Sequence, residues 1–374
     1  MLFSKKDLQK LIIPLMFEQL LAVSVGMVDT LMVSQAGEAA ISGVALVDNI
    51  NRLIIQVMAA LATGGAVVCS QFVGKGKEEG AKKSGAQLET VLLVFSVCMT
   101  LLSLIGTRGL LHAVFGNVSE DVMDSAVLYF TVTSLSFPFL GIYNAGAAIF
   151  RSIGNSKISM QISLLMNVIN IVGNAIFVFG FHWAVFGVAL ATLLSRIVAG
   201  IVITLLVCGK TNPIRIDKWS ELKPDGSIIK KILAIGIPSG VENGMFQIGK
   251  LAVTSMVATF GTASIAANSV GYTVIDFANI PGNAMGLALI TVVGQCIGAG
   301  EKKQAKQYTK KLVGLAYLGD WICNIALFLL AGTIAKCFHL SPEAVRIAEQ
   351  ILHCFAVTSP VSYTHLRTHE TGAY

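Results

Sequence analysis

The chain reads as an all-α polytopic membrane protein: two six-helix bundles related by a pseudo-two-fold along the membrane normal, with the second bundle incomplete. Three observations carry that reading. Hydrophobic residues make up 54% of the 374 positions and charged residues only 13%, against about 25% charged in a soluble domain. The mean hydropathy is +0.73. Apolar runs long enough to cross a bilayer, about 20 residues each, recur ten times. The chain also repeats itself at an offset of 224 residues. The composition excludes a soluble enzyme, a nucleic-acid binder and a disordered scaffold, because too little polar surface remains to keep the chain in water.

The expected spans are 8–33, 43–72, 88–115, 125–150, 157–180, 184–208, 232–259, 264–297, 308–338 and 343–360. The first is read as a retained helix and not as a cleaved leader, since Pro14, Glu18 and Asp29 interrupt it and no small-x-small cleavage pattern follows. Period-2 barrel segments are not seen. With the N-terminus in the cytoplasm, the loops on that side carry 20 Lys and Arg against 3 on the other side. This positive-inside bias predicts a multi-pass protein of the inner (plasma) membrane with a cytoplasmic N-terminus. Seven cysteines without a C-x-x-C pair lie mostly in apolar runs and read as packing residues.

At the 224-residue offset, Pro14 meets Pro238, Glu18 meets Glu242, and Gln71, Gly74 and Gly76 meet Gln295, Gly298 and Gly300. Six helices separate equivalent points, so the repeats are parallel. The expected domains are an N-lobe over 1–208 (helices one to six), a cytoplasmic linker over 209–231, and a C-lobe over 232–360 (helices seven to ten). A full second repeat would need twelve helices, and the chain holds about ten. Residues 361–374 turn polar where the first repeat stays apolar, and are expected to be a non-native tail. The terminal glycines of helices two and eight are expected to serve as left-handed C-caps.

The segments Gln71-Phe72-Val73-Gly74-Lys75-Gly76 and Gly294-Gln295-Cys296-Ile297-Gly298-Ala299-Gly300, with Val28-Asp29-Thr30 and Arg151-Ser152-Ile153-Gly154-Asn155, resemble the multidrug and toxic compound extrusion (MATE) family. The resemblance covers roughly residues 8–360. It implies twelve helices in two lobes and cation-coupled antiport, by proton or sodium, that exports organic and often cationic drugs by alternating access. It implies an ion-coupling set of Asp29, Asn170, Asn174 and Thr192. Asn174 stands where several members carry aspartate, which leaves Asp29 as the charge of that pocket and the one place for a sodium ion. Interhelical hydrogen bonding is the other use such asparagines have.

Ionisable groups at membrane depth are costly, at least ~2.5 kcal/mol on insertion scales, so each is a functional candidate. Glu18 and Glu242 are repeat mates near the cytoplasmic ends of helices one and seven, placed to form a cytoplasmic gate or to reach water. In many members an acid stands eight residues after the proline of helix seven; here that position is Phe246. Soft and aromatic residues suit a promiscuous cleft, and the expected lining is Met27, Arg52, Met245, Phe246, Tyr272, Asp276 and Phe277, with Met285 beside them. Lys250 can be neutralised by an acid on a neighbouring helix; Asp276 is a candidate, but the sequence does not pair the two.

The expected partners are small organic molecules and the bilayer. No cofactor, nucleotide or nucleic acid is expected, and the chain is expected to act as a monomer. Gly209-Lys210-Thr211 is not a Walker A loop, because the required earlier glycine is Thr204. A membrane enzyme would need a motif such as D-D-x-x-D or H-E-x-x-H, and neither occurs. The alternative functions are a flippase for a lipid-linked precursor, which would want several arginines where only Arg52 and Arg196 lie in the membrane, and a non-functional fragment of a transporter.

Overall fold

The computed structural model describes residues 2–33, 38–116, 119–209, 212–216, 219–338 and 341–372; within these, the side chains of 25–31, 33, 38–39, 219–220, 255, 258, 262 and 359–372 are left undescribed. Each expected span is a helix or a broken pair. The first repeat comprises α1 (Lys5–Val33), α2 (Glu38–Gly74), α3 (Glu78–Ile105), α4 (Thr107–Phe115), α5 (Glu120–Ser134), α6 (Phe137–Ser152), α7 (Ser156–Asn174) and α8 (Ala184–Val207). The second comprises α9 (Gly226–Ala258), α10 (Thr262–Ala278), α11 (Ile280–Gly298), α12 (Lys302–Cys337) and α13 (Pro342–Gly372). Among the described residues, six helices are long and apolar enough to cross a bilayer alone, and seven if α5 and α6, bent by 47°, count as one. α9 falls short because Glu242, Asn243 and Gln247 interrupt its apolar run.

The breaks follow from side chains. Pro138 and Pro281 sit in the first turns of α6 and α11, where a missing N–H costs nothing. In α11 the Gly282 N–H donates instead to the Asp320 carboxylate of α12 at 3.0 Å, so a buried acid caps the helix that the proline opens. The repeat mate of Pro281 is Val57, and α2 runs unbroken. The backbone of α13 continues to Gly372, while the tail expected over 361–374 falls on side chains outside the described residues.

The N-terminal half of each repeat's first helix packs into the other repeat. Leu8, Leu11, Ile12 and Leu15 of α1 are buried against Ala288, Val292, Cys296 and Leu312 of α11 and α12. Ile228 and Ile232 of α9 are buried in the core built by α2 and α3. Leu8 and Ile232 are 224 residues apart, so the exchange is reciprocal. The packing therefore crosses the expected boundary at 208.

The axis of the pseudo-symmetry runs between α2 and α11. A Cβ on Gly74 would strike the Gln295 carbonyl, and one on Gly298 would strike the Gln71 carbonyl. These are the same contact seen from each repeat. Lipid gives no hydrophobic drive between helices, so small residues that let backbones approach do this work. The C-cap expectation divides accordingly. Gly76 and Gly300 have φ of +67° and +79° and close Schellman caps, through Lys77 N to Phe72 O at 3.1 Å and Glu301 N to Cys296 O at 2.9 Å. Gly74 and Gly298 are the last residues of their helices and serve the crossing.

Candidate functional site

Three regions of the expected site can be built from the residues upward. The first is the polar core of the N-terminal repeat. Asn170 and Asn174 lie four residues apart on one face of α7, facing Thr192 of α8. Asn174 Nδ2 donates to Asn170 Oδ1 at 3.2 Å, and Asn170 Nδ2 donates to Thr192 Oγ1 at 3.2 Å. All three are buried, as is Asn167 one turn earlier, whose amide nitrogen meets no acceptor among the described residues. α7 then widens into a π-turn over Ala175–Gly180, a feature often found at functional sites. α1 packs along α7. Asp29 and Met27 belong to α1, but their side chains lie outside the described residues.

The second region is the seam at the end of the bundle that carries the lysine-rich loops, called here the basic end. Arg151, at the close of α6, pairs with Glu18 of α1 at 2.9 Å, and Ser159 donates to the other carboxylate oxygen at 2.7 Å. The pair is buried, so its partners matter: removing one would leave the other charge uncompensated. The same turn is held from the second repeat. Thr291 Oγ1 donates to Arg151 O at 2.9 Å and Gln295 Nε2 to Ser152 O at 2.7 Å. Glu242, the repeat mate of Glu18, is half-exposed and has no ion pair among the described residues. Sequence reasoning singled out both glutamates but missed Ser159, Thr291 and the role of Gln295. The doubled Gln-x-x-Gly was the available signal.

The third region is the expected cleft. Met245, Phe246 and Arg52 are exposed, and Tyr272 and Phe277 are half-buried. Lys250 Nζ lies 3.9 Å from Asp276 Oδ1, 4.8 Å from the centre of the Tyr272 ring and 5.8 Å from that of Phe246. Asp276, one candidate the sequence offered, is thus the acid that stands beside Lys250. Met285 is buried against α1 and α12, which removes it from the lining. Asp48, one turn before Arg52 on α2, accepts the Tyr129 hydroxyl at 3.3 Å. Among the described residues no cluster of His, Cys, Asp and Glu could hold a metal ion.

Comparison with known proteins agrees with this architecture. The MatE family model matches residues 14–176 and 238–366. The probable multidrug resistance protein NorM of Thermotoga maritima is 26% identical over 352 residues, which is 92% of this chain and 74% of that protein. A protein of the same description from Neisseria meningitidis serogroup B is 24% identical over 96% of this chain and 78% of its own. Among solved structures, an outward-facing conformation of a multidrug resistance MATE family transporter of the MOP superfamily superposes with a TM-score of 0.89. It is 22% identical, over 95% of this chain and 80% of that one. A crystal structure of MATE in complex with MaL6 gives the same TM-score at 24% identity, over 96% and 81%.

Proposed function

The chain belongs to the MatE family of multidrug efflux transporters, and from that premise we propose that it exports amphipathic organic compounds by cation-coupled alternating access. It is a multi-pass membrane transporter and not an enzyme. The basic end is cytoplasmic on this reading, the membrane is the cell's inner membrane, and the working unit is one chain.

The observation that carries the proposal is the asymmetry between the two ends of the lobe interface. At the basic end the lobes are closed by glycine crossings and by the Thr291 and Gln295 bonds. Deeper in, Lys250 and Asp276 keep side-chain exposures of 29% and 43%. Charges do not face lipid at such depth, so they face a wet cleft between the lobes. That is the arrangement of a transporter open to the outside. Glu18 with Arg151, braced from the second lobe, serves as the inner gate; Glu242 has no equivalent part.

Coupling is assigned to the α1–α7–α8 cluster. Asn170, Asn174 and Thr192 form a buried chain of hydrogen bonds on the helix that α1 packs against, and α1 carries Asp29. A carboxylate at that depth gains or loses a proton, or holds sodium through the amide and hydroxyl oxygens, according to how much water the lobe admits. Sodium or a proton is thus transported, not kept. A lipid-precursor flippase is disfavoured: Arg196 is engaged by Ser136 at 2.8 Å and Arg151 by Glu18, so no phosphate cradle of several arginines is assembled among the described residues.

Expression in a bacterium stripped of its own pumps tests the proposal. Cationic dye accumulation falls with the wild type, and Asp29→Asn abolishes export while dye binding survives. Imposed proton and sodium gradients then identify the ion. Export at the wild-type rate by a correctly inserted Asp29→Asn protein would remove Asp29 from the coupling role.

A further inference from the structure

We propose that residues 302–311, the start of α12, form a docking surface for the headgroup of an anionic phospholipid in the leaflet at the basic end, independently of what the transporter exports. This stretch carries five lysines, Lys302, Lys303, Lys306, Lys310 and Lys311, and no acid. All five are exposed, and among the described residues none stands in an ion pair. The repeat mates of Lys302 and Lys303 are Glu78 and Glu79 on α3, and those of Lys310 and Lys311 are Ala86 and Gln87. On α3 that face is covered by the linker between the lobes. Gln87 Nε2 donates to Glu221 O at 3.1 Å and to Lys223 O at 2.9 Å, and Gln87 Oε1 accepts from Asp225 N at 2.9 Å. On α12 the same positions are lysines left open. One repeat thus covers this face with chain, and the other presents a face of one sign.

The depth of the lysines selects the partner. α12 has 36 residues, about 54 Å at 1.5 Å per residue, which outreaches a hydrocarbon core of about 30 Å. Its inner face is packed through Ala305, Tyr308, Leu312 and Ala316. Its outer face changes character at Gly314, with lysines before it and exposed Leu318, Trp321 and Ile325 after it. At 3.6 residues per turn, Lys303, Lys310 and Lys311 stand on the stripe that these apolar residues continue. Lysine clusters beside a membrane helix attract anionic headgroups. A phospholipid satisfies both halves of the stripe, its phosphate at the ammonium groups and its acyl chains along the apolar residues; a soluble polyanion would use only the first. The acids at this end of α1, α11 and α12 are few among the described residues. Glu301 accepts from Gln304 Nε2 at 3.1 Å, Asp7 accepts from Ser4 N at 2.8 Å, and α11 carries none. Lys5, Lys6 and Lys10 of α1 add to the positive side. The start of α1 is fastened to the same turns of α12. Leu2 N donates to Gln304 Oε1 at 2.8 Å, and the Phe3 N–H and C=O both meet the Tyr308 hydroxyl, at 3.0 Å and 2.7 Å.

The test titrates the purified chain, in a neutral detergent at physiological ionic strength, with short-chain phosphatidylglycerol and short-chain phosphatidylcholine. Both carry the same fluorescent label on an acyl chain, and binding is followed by anisotropy. Phosphatidylglycerol should bind more tightly by about tenfold or more, since only it brings a net negative charge. The double variant Lys310→Gln, Lys311→Gln should weaken its binding by about twentyfold, roughly fivefold per lysine. Lys310→Arg with Lys311→Arg keeps both charges and should stay within about twofold of the wild type. Lys82→Gln with Lys83→Gln, on the mate helix α3, should also stay within about twofold. An unchanged melting temperature in detergent shows that each variant is folded, and the arginine pair separates lost charge from lost structure. Inorganic phosphate at the same concentration should not displace the lipid, and a DNA oligomer should bind more weakly than it. Equal binding of the two phospholipids, no loss in the Lys310 and Lys311 glutamine pair, equal loss in the Lys82 and Lys83 pair, displacement by phosphate, or tighter binding of the DNA oligomer would each overturn the proposal.

Discussion

Glu18 and Glu242 are the same residue at the same register of two repeats, yet they meet opposite fates. Glu18 is buried between Arg151 and Ser159, whereas Glu242 is half-exposed without an ion pair among the described residues. The two lobes share backbone features closely: Schellman caps at Gly76 and Gly300, reciprocal glycine crossings, and first helices whose N-terminal halves pack into the opposite bundle. They differ in their side-chain chemistry. The N-terminal lobe holds a buried amide–hydroxyl chain, and the C-terminal lobe holds a half-exposed lysine, an aspartate and two rings. Backbone packing needs only small residues in register, which a duplication supplies and drift preserves. A polar site needs particular partners from three or four helices, and one substitution in any of them redirects it.

The largest test of that contrast is at the glutamates. Glu18→Gln leaves Arg151 buried without its counter-charge and is expected to cost about 3–5 kcal/mol, read as a drop in melting temperature in detergent. Glu242→Gln should stay within about 0.5 kcal/mol, as a substitution at an exposed, unpaired site. Equal losses at the two sites would mean that the lobes are chemically alike after all.

The glycine crossing should behave in the reverse manner, with matching effects. Gly74→Ala and Gly298→Ala each put a Cβ onto a carbonyl of the facing helix, and each is expected to cost about 1–3 kcal/mol of seam stability. Cys296 reports the seam, since it is fully buried among Leu8, Leu11 and Leu15. In a background lacking the other six cysteines, its labelling by a maleimide should accelerate similarly in both variants. A strong effect at one glycine only would break the symmetry inferred for the axis.

Smaller effects separate Gln295 from its repeat mate Gln71. Gln295→Leu removes the bond to Ser152 O, worth about 1 kcal/mol, and should raise Cys296 labelling about fivefold. Gln71→Leu should leave it unchanged, because among the described residues the Gln71 side chain makes no hydrogen bond.

The smallest effect concerns how the two exchanged helices begin. Near the start of α1, Ser4 N donates to Asp7 Oδ2 at 2.8 Å and Asp7 N to Ser4 Oγ at 3.2 Å. α9 starts with Asp225 accepting from the Ser227 backbone at 2.9 Å and its hydroxyl at 2.7 Å. The Ser227 hydroxyl, and after it the backbone N–H, hold the Asp225 carboxyl below its ordinary value of 3.8; Ser4 does the same for Asp7. A depressed folded pKa adds stability above the unfolded value and loses it as pH falls through the folded one. The melting difference between wild type and Asp225→Asn should therefore be slight near neutrality and vanish in acid once the pH has fallen through the lowered pKa of the folded state. A difference that grows on acidification would contradict the cap.

Much of this architecture was legible in the sequence because it rests on one-dimensional signals. Span length is fixed by bilayer thickness, and the duplication by matching residues at a constant offset. The pairing of Asn170, Asn174 and Thr192 was also expected, from the family resemblance, and their hydrogen bonds are present. Helix spacing explains why the two asparagines share a face; the approach of Thr192 needed the α7–α8 packing. That Lys250 calls for an acid was open to chemical reasoning; that Asp276 stands beside it was decided by the packing of α9 and α10.

The sequence by itself determined that this chain is a multi-pass helical membrane protein, that it is a duplicated structure, and that Glu18 and Lys250 must each find an answer to their charge. Only the tertiary structure decided what those answers were. Arg151 lies 133 residues from Glu18, and Gln295 reaches Ser152 across 143. Nor could sequence tell the cap glycines from the crossing glycines, two positions apart, since glycine serves equally a positive φ and a close approach. Periodicity and composition describe each helix against an average environment. Ion pairs, crossings and ring contacts depend on which helix faces which, at what depth and rotation, and that is settled only when all of the helices pack at once.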